Sequence, residues 1–220
     1  MIIIYEAMIL FYKNSSVSVP SYFRNGVDVM LRSFFNEFGE NGNIIFFVVV
    51  LSIFLFVISN NFTVIKEGKI NFKFLVYMLI ESAFIASLFT LIIVSFSSMV
   101  LFEHSEQHSS IFELFYLSVG AGIWEEILFR LIIMGSFIYI FSKVIYLSIP
   151  SSVLLSILLS SFMFAAFHYT GPYGEGFSTY TFLVRYVGGV LLGTIYFIRG
   201  IGIAVYTHIF YDLAICMSAQ

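Results

Sequence analysis

The sequence has few charged residues: only 10% of its 220 residues are Asp, Glu, Lys or Arg. Soluble domains carry about 25% charged residues, and water could not solvate a surface as poor in charge as this one. Hydrophobic residues make up 60% of the chain, and its mean hydropathy is +1.00. The composition therefore argues against a soluble globular domain and indicates an integral membrane protein.

Basic residues, cysteine and proline are also scarce. The net charge of −3 offers no basic surface of the kind that nucleic acids bind, so no nucleic-acid partner is predicted. The single cysteine, Cys216, cannot form an intrachain disulfide. Only three prolines interrupt the apolar runs, which are long and do not alternate with polar residues, so the sequence predicts spanning helices.

The apolar runs predict an all-α, polytopic membrane bundle of about six spanning helices. These cover about residues 43–64, 74–102, 125–147, 152–169, 180–198 and 201–217. An N-terminal interfacial segment, residues 1–42, precedes a membrane helical domain, residues 43–220. Between residues 111 and 147, Gly120 and Gly122 are expected to end a short helix before a spanning helix starts just ahead of Glu125.

Three charges stand within the apolar stretch GIWEEILFR at residues 122–130. A charge inside a membrane helix costs roughly 2.5 to 3.5 kcal/mol, so such residues usually face the protein interior. Glu126 and Arg130 are four residues apart and share one helix face, with the acid in the favourable N-terminal position. Glu125 points about 100° around the helix and is left for another partner.

Two further motifs carry ionisable groups in later spans. FAAFH ends in His168, near the end of the fourth span, and HIFYD places His208 and Asp212 four residues apart in the last span. Each is also explained by a structural hydrogen bond, and His168 alone is more typical of such a group or of an interface anchor. Because lipid cannot solvate these groups, we expect them to meet the two glutamates and Arg130 in a shared polar cavity.

A glutamate and a histidine that converge on one water molecule form a general-base arrangement. A second histidine beside a carboxylate could donate a hydrogen bond to the oxyanion of a tetrahedral intermediate. Together the residues predict acyl-transfer hydrolysis without a serine or cysteine nucleophile.

The three motifs, in this order, resemble those of a known family. EEILFR fits EExxxR, FAAFH fits FxxxH, and HIFYD fits HxxxN/D, the motifs of the CAAX-protease and bacteriocin-processing (CPBP, or Abi) intramembrane proteases. The resemblance covers about residues 111–217, which we take as the catalytic core. Any one motif is common in membrane proteins, whereas the ordered triple is fairly specific.

The resemblance implies a role for each site residue. Glu125 would activate the attacking water with His168 as its partner, while Glu126 and Arg130 would support the site. His208 and Asp212 would stabilise the oxyanion. The family often has Asn at the last position, so Asp212 departs from the amide form. This leaves open whether Asp212 must be protonated to donate or only orients His208.

No cofactor is expected. Zinc can bind His nitrogen and carboxylate oxygen, but the sequence has no HExxH helix, and a paired Glu and His can activate water unaided. The predicted substrate is a small peptide or a lipid-anchored or membrane protein, and the bilayer is the other partner. A composition rich in Phe, Ile and Ser is compatible with a low-GC bacterium, so the predicted location is the bacterial plasma membrane.

Two other functions fit the same residues. The polar cluster could pin helices together in a non-catalytic bacteriocin-immunity or peptide-binding protein. Buried acids and histidines also form proton relays in transporters. The transporter hypothesis lacks the repeated halves and paired broken helices that are typical of that class.

Overall fold

The computed structural model describes residues 1–13, 24–60, 72–96, 111–170 and 174–218, and every regular element in these ranges is a helix. The predicted ends of the first two spans, residues 61–64 and 97–102, lie outside the described residues. In chain order the helices are α1 (Ile2–Lys13), α2 (Gly26–Asn36), α3 (Gly42–Asn60), α4 (Phe72–Phe96), α5 (Ile111–Val144), α6 (Ile149–Phe167), α7 (Thr179–Arg199) and α8 (Ile201–Ser218).

Helices α4 to α7 are long and apolar enough to cross a bilayer, whose hydrocarbon core needs about 20 residues of helix. Helices α3 and α8 contain the shorter apolar stretches Gly42–Ile53 and Ile201–Met217. Large apolar side chains are exposed along α3 and α4, among them Phe47, Leu51 and Phe84, as expected of surfaces that face lipid. The all-α, multi-pass membrane fold is confirmed. Its four clear spans and the two helices with shorter apolar stretches are compatible with the predicted six.

Helix α5 is continuous through Gly120 and Gly122, so the predicted break there is wrong. Both glycines serve close packing instead. A Cβ atom on Gly120 would lie 2.8 Å from the ring of Tyr5, and one on Gly122 would overlap the side chain of Ile209. Tertiary packing of this kind overrides the weak helix propensity of glycine.

Helix α5 changes its winding directly after the two glutamates. It is α-helical over Ile111–Glu126, π-helical over Ile127–Met134, α-helical over Gly135–Tyr139 and π-helical over Ile140–Val144. π-Helical turns are rare in proteins overall, but those that occur are often found at functional sites.

Helix α5 lies at the centre of the molecule. α8 packs against α4, α5 and α7, while α6 packs against α7 and α5, and the N-terminal helices α1 and α2 contact α5 from another side. The largest buried cluster combines the α5 residues Tyr116, Ile123, Trp124 and Phe129 with Phe164 of α6, among others. The glutamates of α5 therefore lie where several helices meet.

Candidate active site

Glu126 and Arg130 form the buried centre of the site. Both side chains are fully buried, and Arg130 Nε lies 3.3 Å from Glu126 Oε2, which confirms the predicted ion pair on one helix face. His208 Nδ1 donates to Glu126 Oε1 at 2.9 Å, while Arg130 Nη2 donates to the Gly189 carbonyl at 3.2 Å. The guanidinium also lies 4.7 Å from the centre of the Phe164 ring. This centre joins α5 to α6, α7 and α8.

The bonding of this pair is incomplete. Among the described residues, Glu126 Oε2 and the Nε and Nη1 atoms of Arg130 have no hydrogen-bond partner. The 3.3 Å contact is thus an ion pair without hydrogen-bond alignment. Buried charges without full hydrogen bonding contribute little net stability, so stability alone does not account for this arrangement.

Glu125 lies on the other side of the His208 imidazole and is 7% exposed. Its Oε2 is 3.9 Å from His208 Nε2, and Asp212 Oδ2 is 3.6 Å from the same nitrogen. One ring therefore contacts Glu126 through Nδ1 and faces two more carboxylates through Nε2. The structure thus brings together five of the six predicted site residues: Glu125, Glu126, Arg130, His208 and Asp212.

His168 stands at the C-terminal end of α6 and is half-buried. Its Nδ1 lies 2.9 Å from the Phe164 carbonyl oxygen, and its ring meets the Phe164 ring edge-on at 5.0 Å. No ion pair or hydrogen bond joins His168 directly to a carboxylate of a described residue, and its predicted partnership with Glu125 through a shared water molecule stays a prediction. Phe164 also lies 6.1 Å from the His208 ring, so the two histidines flank one phenylalanine.

The hydrogen bond of His168 defines its tautomer. A carbonyl oxygen can only accept, so Nδ1 carries the proton. In the neutral ring Nε2 is then an acceptor.

The comparison with protein families agrees with the motifs. Residues 107–214 match the model of the type II CAAX prenyl endopeptidase Rce1-like family. These residues are a domain of this protease family. No curated protein and no solved structure matched the chain. The Rce1-like domain contains all six predicted site residues, Glu125, Glu126, Arg130, His168, His208 and Asp212.

One contact of the site comes from outside the Rce1-like domain. Asn25, at the N-terminus of α2, donates from Nδ2 to Glu125 Oε1 at 2.8 Å. The sequence does indicate a helix cap at Asn25, because Asn is a preferred residue at that position. It contains no signal for a contact between residues 100 positions apart, so Asn25 was not predicted as a site residue.

The donor set does not fit a bound zinc ion. Within the described ranges, no group of three or more His, Cys, Asp or Glu side chains is arranged to hold a metal. Glu126 is held by His208 and Arg130, and Glu125 by Asn25. We therefore derive no step through a metal, and independence from metal stays a prediction.

Proposed function

We propose that this protein is an intramembrane endopeptidase that hydrolyses a peptide bond in a small peptide or membrane-associated substrate with a water molecule activated by Glu125 and His168. The observation that carries the proposal is the position of His208 between the carboxylates of the Rce1-like domain. Its Nδ1 is fixed by Glu126, and its Nε2 faces Glu125 and Asp212 across gaps of 3.9 and 3.6 Å. These gaps exceed a direct hydrogen bond.

Glu125 is the proposed general base. Its carboxylate takes a proton from the water as the water oxygen attacks the carbonyl carbon of the substrate. His168 supports this step, because its Nε2 is an acceptor that can orient the same water. When the C–N bond breaks, the proton held by Glu125 passes to the leaving amine. No covalent intermediate with the protein is formed.

His208 is the proposed oxyanion donor. Its ring is fixed by the bond from Nδ1 to the fully buried Glu126. In the imidazolium form Nε2 also carries a proton, which it can aim at the oxygen that becomes negative. Asp212, one helical turn beyond His208, would orient this ring and balance its charge. Arg130 would neutralise Glu126, which keeps that carboxylate from competing as a base.

The site lies among apolar helices, so the proposed substrate approaches through or along the bilayer. We further propose that the protein acts in a bacterial plasma membrane. Prenylated C-terminal sequences are the first substrates to examine, since the matched family is described as a prenyl endopeptidase.

The test compares the purified wild-type protein with Glu125→Gln. The probes are a quenched fluorescent peptide with a farnesylated cysteine three residues from its C-terminus, and the same peptide without the farnesyl group. Loss of the general base should lower kcat about a thousandfold, within the range of such catalysis. Glu113→Gln is the matched control, because Glu113 lies in the first turn of the same helix.

Unchanged cleavage by Glu125→Gln would refute the proposal. Two results together would favour the non-catalytic immunity function instead. The wild-type protein would cut neither probe, and cells that carry Glu125→Gln would keep their resistance to a toxic peptide.

A further inference from the structure

The contact between Asn25 and Glu125 joins two parts of the chain that the family match separates. Asn25 precedes the Rce1-like domain by more than 80 residues, and its side-chain amide lies 2.8 Å from the carboxylate proposed as general base. An amide donor to a carboxylate is a charge-assisted hydrogen bond, which is roughly twice as strong as a neutral one.

The orientation of this amide is defined by a second bond. Asn25 Oδ1 accepts from the backbone N–H of Val27 at 2.9 Å and so caps α2. Since that N–H can only donate, the amide oxygen must face Val27 and the NH₂ group must face Glu125. One side chain therefore starts a helix and binds a carboxylate at the same time.

Asn25 engages only one of the two oxygens of Glu125. The amide binds Oε1, while Oε2 faces His208 Nε2 at 3.9 Å. The bound oxygen fixes the rotation of the carboxylate, and the other is directed to the place where the reaction is proposed to occur.

A charged network holds Asn25 against α5. We call it the N-terminal cluster; it consists of Glu6, Arg24, Asp28 and Arg32. Arg24, next to Asn25, donates to Glu6 from both terminal nitrogens at 3.1 Å and to Asp28 at 2.6 Å. Arg32 bonds the same two carboxylates.

Tyr5 connects this cluster to α5. Its hydroxyl donates to Asp28 at 3.1 Å, and its ring stacks on that of Tyr116 of α5, with centroids 4.6 Å apart. Gly120 makes room for the contact, since a Cβ atom there would lie 2.8 Å from Tyr5 and 3.2 Å from the Cβ of Asn25. The start of α2, where Asn25 lies, is therefore held by the N-terminal cluster and by the packing of Tyr5 on α5.

We propose that Asn25 is a positioning residue for Glu125, and that α1 and α2 complete the catalytic unit of the Rce1-like domain. The inference rests on the proposed function, in which Glu125 is the general base. It assigns a role in the reaction to a segment that the family match does not include.

The first experiment uses Asn25→Ser. Serine is an equally good helix cap, so α2 keeps its start, but the shorter side chain no longer reaches Glu125. We expect kcat on the farnesylated peptide to fall about tenfold while KM is unchanged, because the lost bond acts on the base and not on substrate binding.

Two further variants complete this experiment. Asn25→Asp also keeps the cap, but it places a second carboxylate against Glu125, so it should lose more activity than Asn25→Ser. Asn36→Ser, an exposed position on α2, is the matched control and should behave as wild type.

The second experiment needs no substrate. A hydrophobic carbodiimide reacts with the carboxyl groups that it can reach, and mass spectrometry of the labelled peptides measures modification at Glu125 alone. Without the amide, Oε1 of Glu125 loses its hydrogen bond and the space beside it opens, so Glu125 should be labelled several-fold faster in Asn25→Ser than in Asn36→Ser at the same pH.

The outcomes separate this inference from the proposed function. Equal labelling rates and an unchanged kcat in Asn25→Ser, with Glu125→Gln inactive, would overturn the role of Asn25 and leave the peptidase proposal standing. Faster labelling in Asn25→Ser, with full activity in Glu125→Gln, would support the contact between Asn25 and Glu125. It would also show that Glu125 is not the general base, so that Asn25 has no role in the reaction. A raised KM with unchanged kcat would also overturn the inference, since it would indicate a binding role.

Discussion

Two charged clusters adjoin Asn25, one through its chain neighbour Arg24 and one through its bond to Glu125, and they differ in how completely their charges are bonded. In the N-terminal cluster two carboxylates face two guanidinium groups, and all four carboxylate oxygens accept hydrogen bonds. The site cluster, Glu125, Glu126, Arg130, His208 and Asp212, has three carboxylates for one arginine and one histidine. Its Glu126 Oε2 has no aligned donor among the described residues.

The difference distinguishes a structural network from a reactive one. A completed network of charge-assisted bonds rigidifies the helices that it joins. A network with excess negative charge is costly and is typical of functional sites, where unsatisfied groups are available to a substrate. We therefore expect changes in the N-terminal cluster to act mainly through the packing of the helices that it joins. Changes in the site cluster should lower activity, and they should also lower stability where they leave a buried charge without its partner.

The largest stability effect should come from Arg130. Arg130→Met leaves the fully buried Glu126 without its arginine, and breaking a buried pair in this way costs about 3 to 5 kcal/mol. Thermal unfolding in detergent should show a large fall in the midpoint. Arg199→Gln, which breaks the exposed pair with Glu81, is the control and should lower the midpoint far less, because solvent screens that pair. Equal effects of the two changes would contradict the difference in burial.

Gly120→Ala should affect both clusters at once. The added methyl group would press on Tyr5 and Asn25, and overpacking of this kind costs about 1 to 3 kcal/mol. Because it pushes Asn25 from Glu125, kcat should fall together with the unfolding midpoint. Gly188→Ala is the matched control, since a Cβ there meets Phe89 at an ordinary 3.4 Å. A stable Gly120→Ala protein with full activity would show that the close approach of α1 and α2 is dispensable.

The smallest expected effect is a loss of stability at alkaline pH that comes from Tyr5 beside the N-terminal cluster. Burial raises the pKa of the Tyr5 phenol, and the Asp28 carboxylate raises it further. Burial opposes the charge of Arg24, but its bonds to Glu6 and Asp28 prevail and raise its pKa above the usual value, so Arg24 stays charged. The neutral phenol of Tyr5 thus contributes stability below its unfolded pKa of about 10, and this is lost as the pH rises further.

The measurement is the unfolding midpoint at pH 10 and pH 11 for the wild-type protein and Tyr5→Phe. The wild type should lose about 1 kcal/mol more than the variant over this interval, because one group contributes up to about 1.4 kcal/mol per pH unit. Parallel losses in the two proteins would show that Tyr5 does not ionise on unfolding in this range.

Local sequence patterns predicted those parts of the structure that depend on neighbours along one helix. The spacing of Glu126 and Arg130 sufficed to predict their pair, and long apolar runs sufficed to predict a membrane bundle. The meeting of Glu125 with His208 followed from the cost of charge in lipid, without knowledge of the contacts.

Features that depend on tertiary packing were not predictable. The unbroken path of α5 through Gly120 depends on Tyr5, which is more than 100 residues away in the chain. Asn25 reaches Glu125 only because two short helices fold back onto α5. The bond of His168 Nδ1 to the Phe164 carbonyl sets the orientation of its ring, and motif spacing does not reveal that bond.

Side chains beyond the π-helical stretch of α5 point in directions that a regular α-helix would not give them. Bonds from each residue to the fifth along, in place of the fourth, shift the angular phase of everything downstream. The EExxxR motif spans the point where the phase changes, with both glutamates before it and Arg130 after it. A helical wheel drawn with one constant angle through this segment would assign residues beyond Ile127 to the wrong directions.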